Sequence, residues 1–232
     1  MDHFRHIYSH RAADYHPLIA AEDVDGHLPE ALRQITAFAG KRVLDLGTGT
    51  GRLPLLLARE AGQFVGLDLH AGMLRQNQIE RRRVAGPWDL IQGDMRHLPL
   101  PEAAFDVITA GWAIGHFTGW YADRWREAIT VVLREMQRVA RPGAVLLILE
   151  TLTTGSQTPA PPTPRLGEYY AWLEAEAGFA RREFSTDYQF ASVEAAVAHT
   201  EFFFGPQLSE KIRLNGWARL PEWTGLWSKR IT

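Results

Sequence analysis

The sequence predicts an α/β protein: a mostly parallel sheet, doubly wound, with helices on both faces. Three observations predict it. Short apolar runs of strand length alternate with stretches of helical period between Arg42 and Glu150. Three glycines, Gly47, Gly49 and Gly51, follow the first run directly. Hydrophobic residues make up 46% of the 232-residue chain, enough to bury a substantial core.

The elements follow in order. "RVLDL" is a buried strand, and "GRLPLLLAREA" a helix whose Pro54 falls in the first turn, where a missing N–H does no harm. "FVGLDL" is a second strand and "AGMLRQNQIERRRV" a weakly amphipathic helix. "WDLIQGD" and "FDVITAG" are the third and fourth strands, separated by the Pro-rich loop "LPLPEAA". From Trp125, the positions Ile129, Val132, Leu133, Met136 and Val139 keep helical spacing for four turns. "RPG" stops that helix and "AVLLILE" is the fifth strand. After Glu150 the texture changes. "TLTTGSQTPAPPTPR" reads as a long loop, "LGEYYAWLEAEAGF" as a helix ending at Gly178, and "ARREFSTDYQF" as one strand. "SVEAAVAHTEFFF" is a helix capped by Ser192 and broken at Gly205–Pro206; "QLSEKIRLNG" is a short helix and "GLWSKRI" a closing strand.

Composition narrows the function. The chain has no cysteine, which excludes disulfides, thiolate metal sites and cysteine nucleophiles, and suits a cytoplasmic setting. The opening "MDHFRHIYSHRAADYH" has no apolar centre, so no signal peptide is expected, and no run is long enough for a membrane span. A net charge of −2 gives no basic field for nucleic acid, and "RRR" at Arg81–Arg83 reads as a solvated helix face.

The glycine loop carries the chemistry. Glycines beyond a strand let backbone N–H groups approach a ligand closely. The spacing is G-x-G-x-G, not the dinucleotide pattern G-x-G-x-x-G, because position 52 is Arg52. Asp68 ends the second strand, at the distance where a carboxylate accepts ribose hydroxyls. Asp94 follows the third strand, where it could accept from an adenine amino group. These positions share the carboxyl edge of a parallel sheet, where open α/β sheets bind ligands.

In these residues the sequence resembles the class I S-adenosylmethionine-dependent methyltransferases, in the small-molecule group that includes the ubiquinone-biosynthesis type. "VLDLGTGTG", "GLDLHAGML", "IQGDMRHLPLPEAAFDVITAG" and "LREMQRVARPGAVLLILE" carry the likeness, in order, from Lys41 to Glu150. The resemblance implies a seven-stranded sheet of order 3-2-1-4-5-7-6 with the last strand antiparallel. It implies S-adenosyl-L-methionine as donor and S-adenosyl-L-homocysteine as product. It places Gly47, Thr48 and Gly49 at the amino-acid arm, Asp68 and Leu69 at the ribose, and Asp94 and Met95 at the adenine, with Ala110 near the end of the fourth strand and Trp112 just past it also at the donor. Asp45 either meets the donor's ammonium or braces the loop; Met73 either flanks the adenine or belongs to the core. Tyr15 folds over the donor if the N-terminal segment closes on it.

Methyl transfer is an in-line displacement that needs a general base only when the acceptor loses a proton early. His116, in "AGWAIGHF", is the candidate base or orienting group, or simply a histidine hydrogen-bonded at a helix end; Glu150 is a second candidate. His3, His6, His10 and His16 crowd the start; His6 and His10 have metal spacing but no evident third ligand, so no metal is expected. The expected organisation is a helical lid over 1–40, a donor-binding core over 41–150, and a completion of the sheet over 151–232 with a helical insertion near 192–216 walling a small, partly apolar acceptor. A monomer or homodimer is expected. A donor-binding protein without turnover, and a dinucleotide-dependent oxidoreductase, are the alternatives; the second would want the absent G-x-G-x-x-G.

Overall fold

A computed structural model describes residues 3–232. The first two residues of the expected lid, Met1 and Asp2, lie outside the described residues. Three helices come first: α1 (His3–His10), α2 (Ala12–Ala20) and α3 (His27–Ile35). Then β1 (Arg42–Leu46), α4 (Arg52–Leu57), β2 (Gln63–Asp68), α5 (Ala71–Arg83), β3 (Asp89–Gln92) and β4 (Phe105–Gly111) alternate. The short helix α6 (Phe117–Trp120) leads into α7 (Trp125–Val139) and β5 (Ala140–Thr154). The rest is α8 (Pro164–Ala175), β6 (Ala180–Ser185), β7 (Tyr188–Gln189), α9 (Val193–Phe204), α10 (Pro206–Asn215), β8 (Arg219–Leu220) and β9 (Glu222–Arg230).

Seven strands form one sheet, β3-β2-β1-β4-β5-β9-β6, and β7 pairs with β8 apart from it. With β9 as the seventh strand of the sheet, this is the expected order. β1, β2, β3, β4 and β5 run parallel, and β9 is antiparallel to both β5 and β6. Strand side chains alternate between two cores. Leu44, Leu46, Ile108 and Leu146 pack under α7 and α8, while Val43, Phe64, Val107 and Leu147 pack under α3 and α4. α7 docks because Ile129, Val132 and Met136 form one apolar stripe, fully buried. A third cluster joins α2, β7, β8, α9 and α10 through Leu18, Tyr188, Phe190, Val197, Leu208 and Ile212.

Four sequence expectations change. The helix after the glycines ends at Leu57, not Ala61. "RPG" stands just past the end of α7 at Val139, as expected, but it is not a break before the strand. It lies inside β5, where the pairing to β4 shifts between Phe105 and Val107 and Gly143 takes φ +80°. That is a bulge, and proline is tolerated at such irregular places. The loop after Glu150 is shorter, because β5 continues to Thr154 and Pro164 opens α8 under a Thr163 cap. "ARREFSTDYQF" is two strands. Thr186 and Asp187 turn the chain so that β6 joins the main sheet and β7 pairs with β8. Among the described residues, no helix is long and apolar enough to cross a membrane.

Candidate functional site

The loop after β1 is tied to β2 at its start. The N–H groups of Gly47 and Thr48 donate to the Leu67 carbonyl at 2.8 and 3.0 Å. Gly47, at φ +68°, leaves no room for a side chain: a Cβ there would lie 2.5 Å from the Ala113 Cβ. The loop therefore approaches the turn after β4 at backbone distance, which only glycine permits. From below, the Asn77 amide donates to the Gly49 carbonyl at 3.1 Å, and Trp88 Nε1 donates to Asn77 Oδ1 at 2.9 Å.

Asp68 closes the other side. Its Oδ2 accepts the Gly49 N–H at 2.9 Å and its Oδ1 accepts the His70 N–H at 2.7 Å. The carboxyl is 6% exposed, and burial pushes its pKa up despite these donors. A cavity opens here. Gly47, Gly49, Asp68, Leu69, Met73, Asp94 and Met95 line it from the core. Tyr15, Trp112 and His116 line it from the lid side and the turn after β4. Met73 also packs against Ile7, Tyr8 and Ala12 of the lid, so it serves core and cavity together. Asp94 is gripped by Arg96, which holds its carboxyl below the usual range.

Asp45 and Thr48 line a smaller cavity of about 330 Å³ beside the loop, together with Arg52 and Trp112. The Thr109 hydroxyl donates to Asp45 Oδ1 at 2.7 Å, and burial pushes the Asp45 carboxyl up to about 7. Ala110 does not reach any of these cavities: its side chain is fully buried in the core under α7, because alternation along β4 points it inward. Its neighbour Gly111 lines the cavity instead.

A second, larger cavity shares Tyr8, Tyr15, Trp112, His116 and Trp120 with the first. His116 stacks on Trp120 with centroids 5.0 Å apart, and its Nε2 is hydrogen-bonded to the Tyr8 hydroxyl at 2.7 Å. Glu150 lies in the wall, 5% exposed, with Oε1 accepting the Gly115 N–H at 2.7 Å. Burial pushes its carboxyl up to about 8. Trp112 sits at the junction of all three cavities with φ +51°, a backbone state costly for a large side chain. The Arg52 guanidinium lies 3.6 Å from its ring centroid, and Arg52 Nη1 donates to Glu22 Oε2 at 2.8 Å.

The N-terminal histidines do not act together. His3 pairs with the Phe203 carbonyl and His16 with Thr50, while the His6 and His10 rings stand 5.1 Å apart. Among the described residues no three His, Asp or Glu side chains gather as a metal site. Sequence reasoning missed Arg52, Glu22, Tyr8 and Arg96. Arg52 alone left a signal, standing directly after the third glycine. Glu22 and Tyr8 lie far along the chain from what they touch, and Arg96, two residues from Asp94, carries no signal of its own.

Residues 44–148 match the methyltransferase domain family. The chain is 38% identical over 116 residues to the ubiquinone/menaquinone biosynthesis C-methyltransferase UbiE of Azotobacter vinelandii, a match covering 48% of this chain and 42% of that protein. It is 35% identical over 127 residues to the demethylmenaquinone methyltransferase of Lactiplantibacillus plantarum, covering 53% and 50%. The matches thus span about half the length of these relatives. In fold, the chain is similar to the YcgJ protein of Bacillus subtilis, with TM-score 0.60, 18% identity, and coverage of 89% of this chain and 98% of that one. A methyltransferase from Aquifex aeolicus gives TM-score 0.55 at 19% identity, covering 88% and 89%. Over residues 44–148 the chain is therefore similar to the methyltransferase domain family, within a fold like that of the solved S-adenosylmethionine-dependent methyltransferase.

Proposed function

We propose that this protein transfers a methyl group from S-adenosyl-L-methionine to a small molecule by in-line displacement, leaving S-adenosyl-L-homocysteine. The observation that carries the reading is the pairing of Gly49 and Asp68 at the mouth of a cavity that opens into a larger one. The fit to the donor is chemical. Asp68 offers a buried carboxylate to ribose hydroxyls, and Asp94 an acceptor to the adenine amino group. Leu69, Met73 and Met95 supply apolar faces for the base.

The amino-acid arm needs a positive and a negative partner. Arg52 and Asp45 line the same small cavity beside Gly47 and Thr48. Arg52 Nη2 is buried without a hydrogen-bond partner, as is Trp112 Nε1. Two orphaned donors at this junction suit the donor's carboxylate. When bound, the sulfonium supplies an activated methyl group. The chain's residues hold it, keep water away and orient the acceptor.

Residues 1–40 act as the lid and the helices near 192–216 as the wall of the acceptor cavity; 41–150 bind the donor. The acceptor is a free small molecule, not nucleic acid. The protein works as a monomer or homodimer in the cytoplasm. Calorimetry with S-adenosylhomocysteine tests the donor site. Saturable one-to-one binding, lost in Gly49→Val, is expected; no binding by the folded protein would sink the reading.

A further inference from the structure

The large cavity contains an acid that donor binding does not use. Glu150 stands on β5 at the ligand-binding edge of the sheet, buried, with one oxygen on the Gly115 N–H. The site is shaped to this carboxyl: a Cβ at Gly115 would lie 2.8 Å from Glu150 Oε2. From α8 the Tyr169 hydroxyl faces the same carboxyl, which forms no ion pair with a lysine or arginine among the described residues. A buried acid without a cation is costly to keep. An apolar side chain would fill this place more stably, so the carboxyl points to a task in the cavity.

The remaining wall suggests what enters. Trp112, Trp120, Tyr170, Tyr188, Phe203 and Phe204 line the cavity, an aromatic surround for a flat ring. The charges of Glu22 and Arg52 cancel each other at one wall, and Arg165 and Lys211 add positive charge to the lining. A neutral guest enters such a space more easily than an ammonium ion, which would have to shed water and its extra proton first.

We infer that the acceptor is a phenol and that Glu150 receives its hydroxyl proton as the oxygen is methylated. This rests on the methyl-transfer reading. The phenol oxygen forms a bond to the methyl carbon while the carbon–sulfur bond of the sulfonium breaks. The electron pair of that bond stays on sulfur as a thioether, and the hydroxyl proton passes to the Glu150 carboxylate. One positive and one negative charge disappear together, so the buried site ends neutral. Glu150 is poised for this because burial places its titration near working pH. Tyr169 and Tyr170 from α8 face it; His116, Tyr8, Tyr15, Tyr188, Glu22, Arg52, Arg165 and Lys211 are the other titratable groups around the cavity.

The test begins with calorimetry of S-adenosylhomocysteine; failure there would strike the methyl-transfer reading, not this one. With that ligand bound, 4-nitrophenol is titrated in and its phenolate absorbance followed. Binding with a phenolate band near neutral pH, where an apolar cavity would otherwise keep the bound phenol neutral, is expected. Glu150→Gln should bind the probe without the band. With S-adenosylmethionine and catechol as substrates, a methyl ether should form. Glu150→Gln should lower kcat at least about 100-fold, the reach of a general base, with donor affinity within about twofold. Gly115→Ala, which displaces the carboxyl, should lose both the band and the turnover in part, and serves if Glu150→Gln does not fold. Failure of both phenols to bind, methylation of benzylamine but not catechol, or full turnover in Glu150→Gln would each overturn the inference.

Discussion

Asp68 has two tasks that pull apart under mutation. It lines the first cavity, proposed for the donor, and it holds the Gly49 N–H that shapes the loop. Asp68→Ala is expected to weaken S-adenosylhomocysteine binding by about 1.5–3 kcal/mol, the range for charge-assisted hydrogen bonds. Asp68→Asn, which keeps a carbonyl for Gly49, should retain loop shape by near-ultraviolet circular dichroism and still lose affinity. Calorimetry showing wild-type affinity in either folded variant would count against the ribose role. Buried carboxyls also set a pH dependence. Glu150 titrates near 8 and Asp45 near 7 in the folded state, above their unfolded values. The folded protein therefore binds more protons than the unfolded chain, and stability falls as pH rises through those values. Histidines His16 and His70 are lowered by burial and act in the opposite sense, but below about pH 6.5, their ordinary value. Between pH 7 and 9, Glu150 alone should cost roughly 1 kcal/mol of unfolding free energy. Urea melts at the two pH values should show the fall, and Glu150→Gln should reduce it. At this scale the sequence was informative where a residue ended a strand, as with Asp68. It was silent on Tyr8, whose partner His116 lies 108 residues away.

The N-terminal helices show how elements fix a site. α1 rests on α5 through a backbone contact: a Cβ at Gly72 would lie 2.7 Å from the Ser9 carbonyl oxygen. Ser9 Oγ reaches His70 Nδ1 at 3.2 Å, beside Asp68. Tyr8 from the same helix enters both cavities. Gly72→Ala should therefore lift α1 and leave the sheet intact. Trypsin should cut the N-terminal segment several-fold faster, S-adenosylhomocysteine should bind more weakly, and the thermal midpoint should change little. In the wild type, the same ligand should slow that cleavage; equal cleavage with and without it would rule out a lid. The alternation that defines the sheet was legible because strand and helix periods differ. The break between β6 and β7 was not. "ARREFSTDYQF" has strand composition throughout, and tertiary pairing parts it: β6 finds β9, while β7 finds β8.

Across the whole molecule, one buried ion pair joins three parts of the chain. Glu22 follows the lid helix α2, Arg52 opens α4 behind the glycine loop, and Tyr188 and Glu222 come from the C-terminal strands around them. Side-chain exposure is 13% for Arg52 and 3% for Glu22, so water does little to screen the pair. No periodicity or motif announces such a contact, because its members are set by how α2, α4 and β9 pack. Removing one partner leaves a buried charge. Glu22→Ala should destabilise by about 3 kcal/mol, the low end for a broken buried pair. Replacing both, as Glu22→Leu with Arg52→Met, should restore much of the stability, because apolar side chains of similar size remove the desolvation cost. Donor affinity should behave differently. If Arg52 meets the donor's carboxylate, the double variant recovers its thermal midpoint but not its affinity for S-adenosylhomocysteine. Binding of 5′-methylthioadenosine, which lacks the amino-acid arm, should then be nearly unchanged. Should the double variant bind S-adenosylhomocysteine as the wild type does, Arg52 is a structural strut between lid and core and the arm is held by Asp45 and the glycine loop alone.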